Sequence, residues 1–282
     1  MWIYLNNDYI ELEQARLSPF DRGFLFSDGV YEVIRFYPLS GYFQADAHLE
    51  RLRYGLDQLR ITGVNLEELK EITADLLNKN EHHHAQAIAY IQVTRGSYYP
   101  RQHFFPPAST QPTLFITTSP FKPHTDEIEQ GARVLLERDI RWSRCDIKTI
   151  ALLPNILSRQ NAVDQQACET IWSRDGFITE GTHTNFCAIQ NGTLLTPPKS
   201  NFILSGITRQ VVLDLCRDLH IPWNETPIKE SLLKDLEECM IIGTTTEITP
   251  VISINATLIG NGKPGTVTRK LQEQFYRTLG ST

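Results

Sequence analysis

The sequence predicts a two-domain α+β protein, in which a small α/β domain precedes a larger, β-rich domain. In the first third of the chain, strand-like runs of β-branched and aromatic residues, such as Val30 to Tyr37, alternate with two leucine-striped helices. A polar segment with two prolines follows, and a second series of strands and hairpins begins after it. We therefore expect a small domain over residues 1–119, a linker over 120–131 and a large domain over 132–282.

Local patterns predict each element of the first domain. Asn6, Asn7 and Asp8 favour a tight turn between two short strands. Leucines at positions 49, 52, 56 and 59 recur at helical spacing and form an apolar stripe. In order, we expect strands over residues 2–5, 9–12 and 30–37, helices over 46–60 and 66–78, and strands over 87–95 and 113–118.

The stretch over residues 141–185 contains the strongest candidates for chemistry. Residues 141–150 alternate apolar and polar side chains like a strand, and Lys148 lies near its end beside two isoleucines. A lysine with apolar neighbours is a candidate amine nucleophile, although a salt-bridged lysine is the commoner case. A hairpin over 170–179, turning at an Asp-Gly pair, brings Glu180 to the end of its second strand. We therefore expect an amine and a carboxylate to end two neighbouring strands.

The other elements of the second domain follow from the same kinds of pattern. It begins with a strand over residues 132–137, a hairpin turns at Asn191 and Gly192, and a helix starts at Gly206. Another helix begins at Pro154, and its apolar residues fall roughly on one face: Ile156, Leu157, Ala162 and Val163.

Composition and charge narrow the possible classes of protein. The chain has 282 residues, 41% hydrophobic and 21% charged, as in ordinary soluble globular proteins. A net charge of −6 gives no broad basic surface, so nucleic acid is not an expected partner. No apolar run is long enough for a membrane span, and the N-terminus lacks a signal-peptide pattern. Five scattered cysteines without a CxxC pair indicate reduced thiols in a cytoplasmic protein, and no metal-ligand set is evident.

Several segments suit an anion, although each pattern alone more often has a purely structural role. Arg51 lies off the leucine stripe of its helix, and its guanidinium suits a phosphate. Arg101 and His103 stand one residue apart on a loop rich in glycine, proline and aromatic residues, where they could clamp a carboxylate. The helix start at Gly206-Ile207-Thr208 offers free backbone N–H groups, and the turn over 243–246 offers threonine hydroxyls.

Six sequence blocks, in their order along the chain, resemble those of fold type IV pyridoxal-phosphate enzymes. The blocks are DRGFLFSDGVYEV, HLERL, RCDIKTIALLPN, ITEGTHTNF, LSGITRQVV and GTTTEITPV. This family includes D-amino acid aminotransferases, branched-chain aminotransferases and aminodeoxychorismate lyases. The segments TRGSYYPRQHFFP and RWSRCDIK look most like the D-amino acid aminotransferases. The resemblance implies a pseudo-barrel in the large domain and a ping-pong transfer of an amino group between D-amino acids and 2-oxo acids.

The resemblance also implies a role for each matching residue. Lys148 would bind pyridoxal 5'-phosphate as a Schiff base, and Glu180 would keep the pyridine nitrogen protonated. Tyr31, Arg101 and His103 would bind the α-carboxylate of the substrate. Arg101 and His103 would come from the neighbouring subunit of a homodimer. The ring and the phosphate of the cofactor would be bound by Arg51, Leu204, Ile207, Thr208 and Thr244.

Three positions depart from the family pattern. His183 stands between two threonines where small hydroxyl residues are usual, and Gly243 replaces a common serine. Ile150 and Ala151 stand where an asparagine often follows the lysine. These departures affect individual contacts to the cofactor and leave the assignment of the cofactor itself unchanged.

Three other functions compete with a D-amino acid aminotransferase. An aminodeoxychorismate lyase would use the same Lys148 as a base to eliminate pyruvate, but the Arg101 and His103 pair favours varied amino acids. An L-specific branched-chain aminotransferase is disfavoured by the same pair together with Tyr31. A non-enzymatic binding protein is disfavoured because binding alone needs neither Lys148 nor Glu180.

Overall fold

The computed structural model describes residues 1–280 and divides the chain into two compact units. Unit 1 comprises Met1–Lys122 and Ile147–Ala151, and unit 2 comprises Pro123–Asp146 and the residues from Leu152 onward. The boundary at Lys122 falls within the predicted linker, whose second half forms helix α4, Thr125–Gln130. The short segment that carries Lys148 groups with unit 1, whereas the sequence predicted it in the large domain.

Unit 1 contains a six-stranded antiparallel sheet with strand order β2-β1-β6-β5-β3-β4. The predicted hairpin at residues 6–8 and both predicted helices are confirmed. Leu49, Leu52 and Leu56 are buried, and each buried leucine contributes roughly 1.5–3 kcal/mol. The elements are β1 Trp2–Leu5, β2 Asp8–Glu11, α1 Arg22–Phe26, β3 Gly29–Tyr37, β4 Gly41–Tyr42, α2 Ala45–Leu59, α3 Leu66–Lys79, β5 Ala87–Thr94 and β6 Thr113–Pro120.

Unit 2 contains a nine-stranded mixed sheet with strand order β12-β11-β10-β13-β14-β7-β8-β9, and β15 pairs with β14. The predicted turns at Asp175-Gly176 and Asn191-Gly192 are confirmed. Besides α4, the elements are β7 Ala132–Arg138, α5 Leu153–Asp164, β8 Glu169–Arg174, β9 Phe177–Gly181, β10 Asn185–Gln190, β11 Thr193–Thr196, α6 Ile207–Asp218, β12 Trp223–Glu225, β13 Glu238–Gly243, β14 Glu247–Ile254, β15 Thr257–Leu258 and α7 Thr266–Thr278. Among residues 1–280, no helix has the length and apolar character needed to cross a membrane.

The predicted strand over residues 141–150 is wrong. Burial does alternate, since Cys145, Ile147 and Thr149 are buried, but a strand also needs one continuous neighbour. In unit 2, the backbone N–H of Cys145 donates to the carbonyl of Asn201. In unit 1, Thr149 forms only an isolated bridge. The alternating pattern therefore comes from a loop whose two parts bond to different neighbours.

Helix α5 begins one residue before the predicted proline, and only part of the expected apolar face is buried. Ser158 and Ala162 are buried, and the Ser158 hydroxyl donates to Glu137 at 2.7 Å. Ile156 and Leu157 remain 61% and 58% exposed within the single chain. Small and polar side chains thus attach the helix to the sheet, and the larger residues of the predicted stripe, Ile156, Leu157 and Val163, are exposed.

Candidate active site

Lys148 lies in unit 1 next to the first residues of β3. Its carbonyl accepts a hydrogen bond from the Tyr31 N–H at 3.0 Å, and the Thr149 hydroxyl donates to the Gly29 carbonyl at 2.9 Å. Gly29 is required here because a Cβ would lie only 2.5 Å from the Val93 carbonyl oxygen. The Lys148 Nζ lies 4.1 Å from the centroid of the Tyr31 ring. The structure thus brings together two of the predicted site residues, a primary amine and a phenol.

A buried ion cluster in the same unit contains Arg51. Glu32 is fully buried on β3, and it accepts Arg51 Nε at 3.0 Å and Arg51 Nη2 at 2.7 Å. The His48 Nδ1 lies 2.9 Å from the same carboxylate. Burial alone would raise the pKa of Glu32, but the charges and hydrogen bonds of Arg51 and His48 lower it well below its usual range. Arg51, the predicted phosphate ligand, is therefore oriented by a permanent anion.

Arg101 and His103 lie together around one aromatic ring of unit 1. They occupy an irregular segment after β5, where both side chains are exposed. The Arg101 guanidinium carbon lies 4.3 Å from the centroid of the Phe26 ring, and the His103 and Phe26 ring centroids are 5.5 Å apart. Tyr31, the third predicted carboxylate ligand, stacks instead on Tyr90 with ring centroids 5.8 Å apart. The structure thus pairs the two loop residues with each other and pairs Tyr31 with Lys148.

Glu180 is the centre of a second polar cluster, which lies in unit 2. It is buried near the end of β9 and accepts hydrogen bonds from Arg141 Nη1 at 2.5 Å, Asn185 Nδ2 at 3.1 Å and the Leu204 N–H at 2.9 Å. Arg141 also binds Asp139, with Nη2 2.9 Å from Oδ2. Burial raises the pKa of Glu180 to about 7, although the Arg141 charge and hydrogen bonds oppose the rise.

The candidate phosphate ligands of unit 2 lie at a helix start and a turn. Helix α6 begins directly after Gly206, and Thr208 in its first turn is buried. Gly206 has no room for a side chain, since a Cβ would lie 1.8 Å from Asn185 Oδ1. The first N–H groups of this twelve-residue helix have no partner within the helix, so Ile207 and Thr208 suit an anion. Thr244 lies in the turn between β13 and β14.

His183, which departs from the family pattern, is held by a buried carboxylate. Glu169 is fully buried, and its Oε2 lies 2.9 Å from His183 Nδ1. Glu169 also accepts hydrogen bonds from the hydroxyls of Thr182 at 2.5 Å and Thr184 at 3.1 Å. Burial would raise the pKa of Glu169, but the charge of His183 and these donors lower it to about 2. The histidine thus has a fixed anionic partner.

Sequence reasoning missed Glu32, Arg141 and Glu169, which hold the predicted site residues in place. Glu32 did carry a signal, because it alternates with Val30 and Ile34 on the buried face of β3, and a buried carboxylate needs partners. Arg141 and Glu169 carried no such signal, since their partners are distant in sequence or separated by a turn. Within residues 1–280, no group of three or more His, Cys, Asp or Glu side chains is arranged to hold a metal ion.

Each unit contains donor types that suit pyridoxal phosphate, and comparisons with known proteins identify the family. The family model for class IV aminotransferases matches residues 29–254, so the chain belongs to this family. The D-alanine aminotransferase of Staphylococcus haemolyticus is 36% identical over 280 residues, covering 99% of this chain and 98% of that protein. The D-alanine aminotransferase of Listeria monocytogenes is 35% identical over 281 residues, covering 99% and 96%.

Similar solved structures establish the fold. The branched-chain amino acid aminotransferase of Escherichia coli superposes with a TM-score of 0.91 at 25% identity, covering all of this chain and 95% of that one. The branched-chain amino acid aminotransferase of Thermobaculum terrenum, solved in its PLP form, gives a TM-score of 0.85 at 22% identity, covering 99% and 93%. The predicted fold type IV architecture is thereby confirmed.

Proposed function

We propose that the chain is a pyridoxal 5'-phosphate-dependent D-amino acid aminotransferase, which exchanges an amino group between D-amino acids and 2-oxo acids by a ping-pong mechanism. The observation that carries this proposal is the match to D-alanine aminotransferases over 99% of the chain at 36% identity. The fold alone does not identify the substrate, because proteins with one fold catalyse several reactions.

The residues present fit the cofactor. Lys148 supplies a primary amine for the aldehyde, and Ile207, Thr208, Thr244 and Arg51 supply donors for the phosphate. A carboxylate accepts about four hydrogen bonds, and three protein donors approach Glu180, so it can also accept one from a ring N–H. A carboxyl group whose pKa is near 7 is readily ionised by a cation that faces it. The backbone N–H of Leu204 donates to Glu180 and so orients this carboxylate for the cofactor.

The residues of the chain have separate tasks in the reaction. When bound, pyridoxal phosphate supplies the electron sink that makes the Cα proton of an amino acid removable. The Lys148 Nζ would carry this proton between Cα and the exocyclic carbon of the cofactor, while Glu180 would keep a positive charge on the ring nitrogen. Arg101 and His103 hold the α-carboxylate, to which hydrogen bonds contribute roughly 1.5–3 kcal/mol each. Tyr31, next to Lys148, completes the carboxylate ligands.

We further propose a cytoplasmic homodimer in which Arg101 and His103 serve the neighbouring subunit. Large apolar side chains are exposed near these residues in sequence, with Tyr99 and Phe104 both 72% exposed. The exposed Ile156 and Leu157 of α5 form a second such surface. Exposed apolar clusters of this kind favour association with another protein surface. The described cysteines are all free thiols, in keeping with a reducing compartment.

Mixed dimers test the shared active site. We expect the Lys148→Ala homodimer to be inactive, the Arg101→Ala homodimer to have a much higher KM for D-alanine, and their one-to-one hybrid to regain activity at low D-alanine concentration. In the hybrid, one site combines an intact Lys148 from one subunit with an intact Arg101 from the other. A hybrid as inactive as both parents would place the two residues in the same subunit, and a monomer by sedimentation would refute the dimer.

Half-reactions test the function itself. Cofactor-loaded protein is mixed with D-alanine, L-leucine or aminodeoxychorismate, and the absorbance change from the pyridoxal to the pyridoxamine form is followed. We expect conversion with D-alanine and none with Lys148→Ala. Conversion with L-leucine alone would indicate a branched-chain aminotransferase, which the structural likeness to such enzymes makes the leading alternative. Pyruvate release from aminodeoxychorismate without conversion would indicate the lyase.

A further inference from the structure

A buried arginine holds the segment that carries Arg101 and His103. Residues 101–105, called the clamp loop below, form no helix or strand, and four of the five are exposed. Such a segment has few packing contacts of its own to fix the direction of its side chains. The structure nevertheless places Arg101 and His103 against the same face of unit 1, beside Phe26.

Arg22, the first residue of α1, binds the clamp loop through its backbone. Its Nη1 donates to the Gln102 carbonyl at 2.7 Å and to the Phe104 carbonyl at 3.4 Å, and its Nη2 donates to the His103 carbonyl at 3.3 Å. Arg22 is only 5% exposed. One planar guanidinium therefore contacts three consecutive residues of the loop, a geometry that a lysine cannot reproduce.

The Nε of Arg22 binds a carboxylate that a second arginine also binds. Its Nε donates to Asp28 Oδ2 at 2.8 Å. Arg95 binds the same carboxylate in a bidentate manner, with Nε and Nη2 each 2.8 Å from an oxygen, and also donates to the carbonyls of Leu59 and Arg60. Burial opposes ionisation of Asp28, but the hydrogen bonds and charges of both arginines lower its pKa below the usual value. Arg22 is thus tied to the end of α2.

Phe26 forms the other support of the clamp loop. Two guanidinium groups contact its ring, with Arg22 Cζ at 4.7 Å and Arg101 Cζ at 4.3 Å from the ring centroid. Because Arg22 and Phe26 are the first and last residues of α1, this one short helix supplies both supports. The backbone of the loop and the side chain of Arg101 are held from the same element.

We propose that Arg22 and Phe26 are positioning residues that aim Arg101 and His103 at the α-carboxylate of the substrate. The proposal rests on the proposed function, because it assigns the carboxylate to those two side chains. A misplacement of about 1 Å in a substrate-holding group can lower catalytic efficiency by about 100-fold. Loss of the contacts between the Arg22 guanidinium and the clamp loop should therefore weaken recognition of the substrate carboxylate and leave binding of the cofactor unchanged.

The kinetic test uses Arg22→Lys, which keeps the positive charge but loses the planar guanidinium group. The half-reaction of the cofactor-loaded protein is measured with D-alanine and with D-alaninamide, which has the same shape without the carboxylate charge. We expect KM for D-alanine to rise about 10- to 100-fold and the efficiency with D-alaninamide to change less than about 3-fold. Equal losses with both compounds would show a general structural role and overturn the proposal.

Two further variants complete the experiment. Arg53→Gln removes a half-exposed arginine of unit 1, paired with Glu50 at 3.3 Å, and should leave both rates unchanged. If Arg22→Lys does not fold, Phe26→Leu removes the ring while keeping the Arg22–Asp28 pair, and the same selective loss is expected. Wild-type KM for D-alanine in either folded variant would contradict the positioning role.

A second measurement separates this proposal from the proposed function. Amide hydrogen exchange is compared between wild type and Arg22→Lys, with faster exchange expected in the clamp loop and unchanged exchange in β3 and α2. This readout needs no substrate. If wild-type protein converts no D-amino acid, the proposed function fails, and unchanged exchange in the loop would separately refute positioning by Arg22.

Discussion

Glu32 in unit 1 and Glu180 in unit 2 are both buried carboxylates bound to an arginine, yet their pKa values move in opposite directions. Glu32 receives both Nε and Nη2 of Arg51 and also faces His48. Glu180 receives a single N–H of Arg141, whose other groups bind Asp139. The pKa of Glu32 falls well below its usual range, whereas burial raises that of Glu180 to about 7.

The difference shows that a buried carboxylate can either orient an arginine or remain ready to bind a further cation. A buried carboxylate that receives two N–H groups of one arginine remains ionised and fixes the direction of that arginine. A buried carboxylate that shares its arginine has too little positive charge nearby, so it gains most from a further cation. Glu32 therefore suits a permanent support for Arg51, and Glu180 suits a partner for a protonated ring nitrogen.

Replacing Glu180 with glutamine should give the larger change in activity. Glu180→Gln keeps the size and the hydrogen bond from Leu204 but cannot balance a positive charge. We expect the D-alanine half-reaction to slow by about 10²- to 10³-fold, comparable to the loss of one preorganised electrostatic contact. At pH 7 the free energy of unfolding should fall by less than about 1.5 kcal/mol. Nearly full activity in stopped-flow measurements would contradict the assigned role of Glu180.

Replacing Glu32 should instead give the larger change in stability. Glu32→Gln removes the anion that Arg51 binds in the buried pair, and breaking a buried ion pair in this way costs about 3–5 kcal/mol. Urea unfolding at pH 7 measures this loss. Arg53→Gln, which breaks an exposed pair with Glu50, is a matched control and should cost less than about 1 kcal/mol. Equal losses would show that the burial of Glu32 has no energetic consequence.

The pH dependence of stability should distinguish the two carboxylates. Since folding raises the pKa of Glu180 from 4.5 to about 7, its stabilising contribution is complete below about pH 4.5 and is lost as pH rises to about 7. The loss amounts to roughly 3 kcal/mol, at about 1.4 kcal/mol per pKa unit. Cofactor-free wild type should therefore lose this much relative to Glu180→Gln in urea unfolding between pH 4.5 and 7.5.

Glu32 provides the contrast in the same pH range. Its pKa is lowered on folding, so its contribution is complete above about pH 4.5 and is lost only as pH falls further. The difference between wild type and Glu32→Gln should consequently stay constant from pH 6.5 to 7.5, above the pKa of the neighbouring His48, which burial lowers. A slope for Glu32→Gln, or none for Glu180→Gln, would contradict the opposite pKa shifts.

Local structure was predictable from the sequence, whereas the contacts that set these pKa values were not. The turn at Asp175-Gly176 and the helix with the leucine stripe depend on neighbours a few residues away. The predicted strand around Lys148 failed because an alternating pattern does not specify which strand the segment pairs with.

The two carboxylates show the same limit in the candidate site. Glu180 was found through a family block, but its partner Arg141 lies 39 residues away in sequence, and no local pattern joins them. Glu32 stood in a recognised block without an assigned role. The exposed Ile156 and Leu157 show a further limit, because periodicity identifies an apolar face without saying whether it packs inside one chain or against another.

The smallest expected effect concerns Glu169, which lies between the two cases. Its pKa is lowered to about 2, with His183 as the chief stabilising charge, but the His183 side chain is 42% exposed. Solvent weakens the contribution of a half-exposed partner, and the threonine hydroxyls still donate after its removal. His183→Ser should therefore cost about 1 kcal/mol or less in urea unfolding at pH 7, with His124→Ser, an exposed histidine of unit 2, as control. A loss as large as that of Glu32→Gln would mean that a half-exposed histidine can support a buried carboxylate as strongly as a buried arginine does.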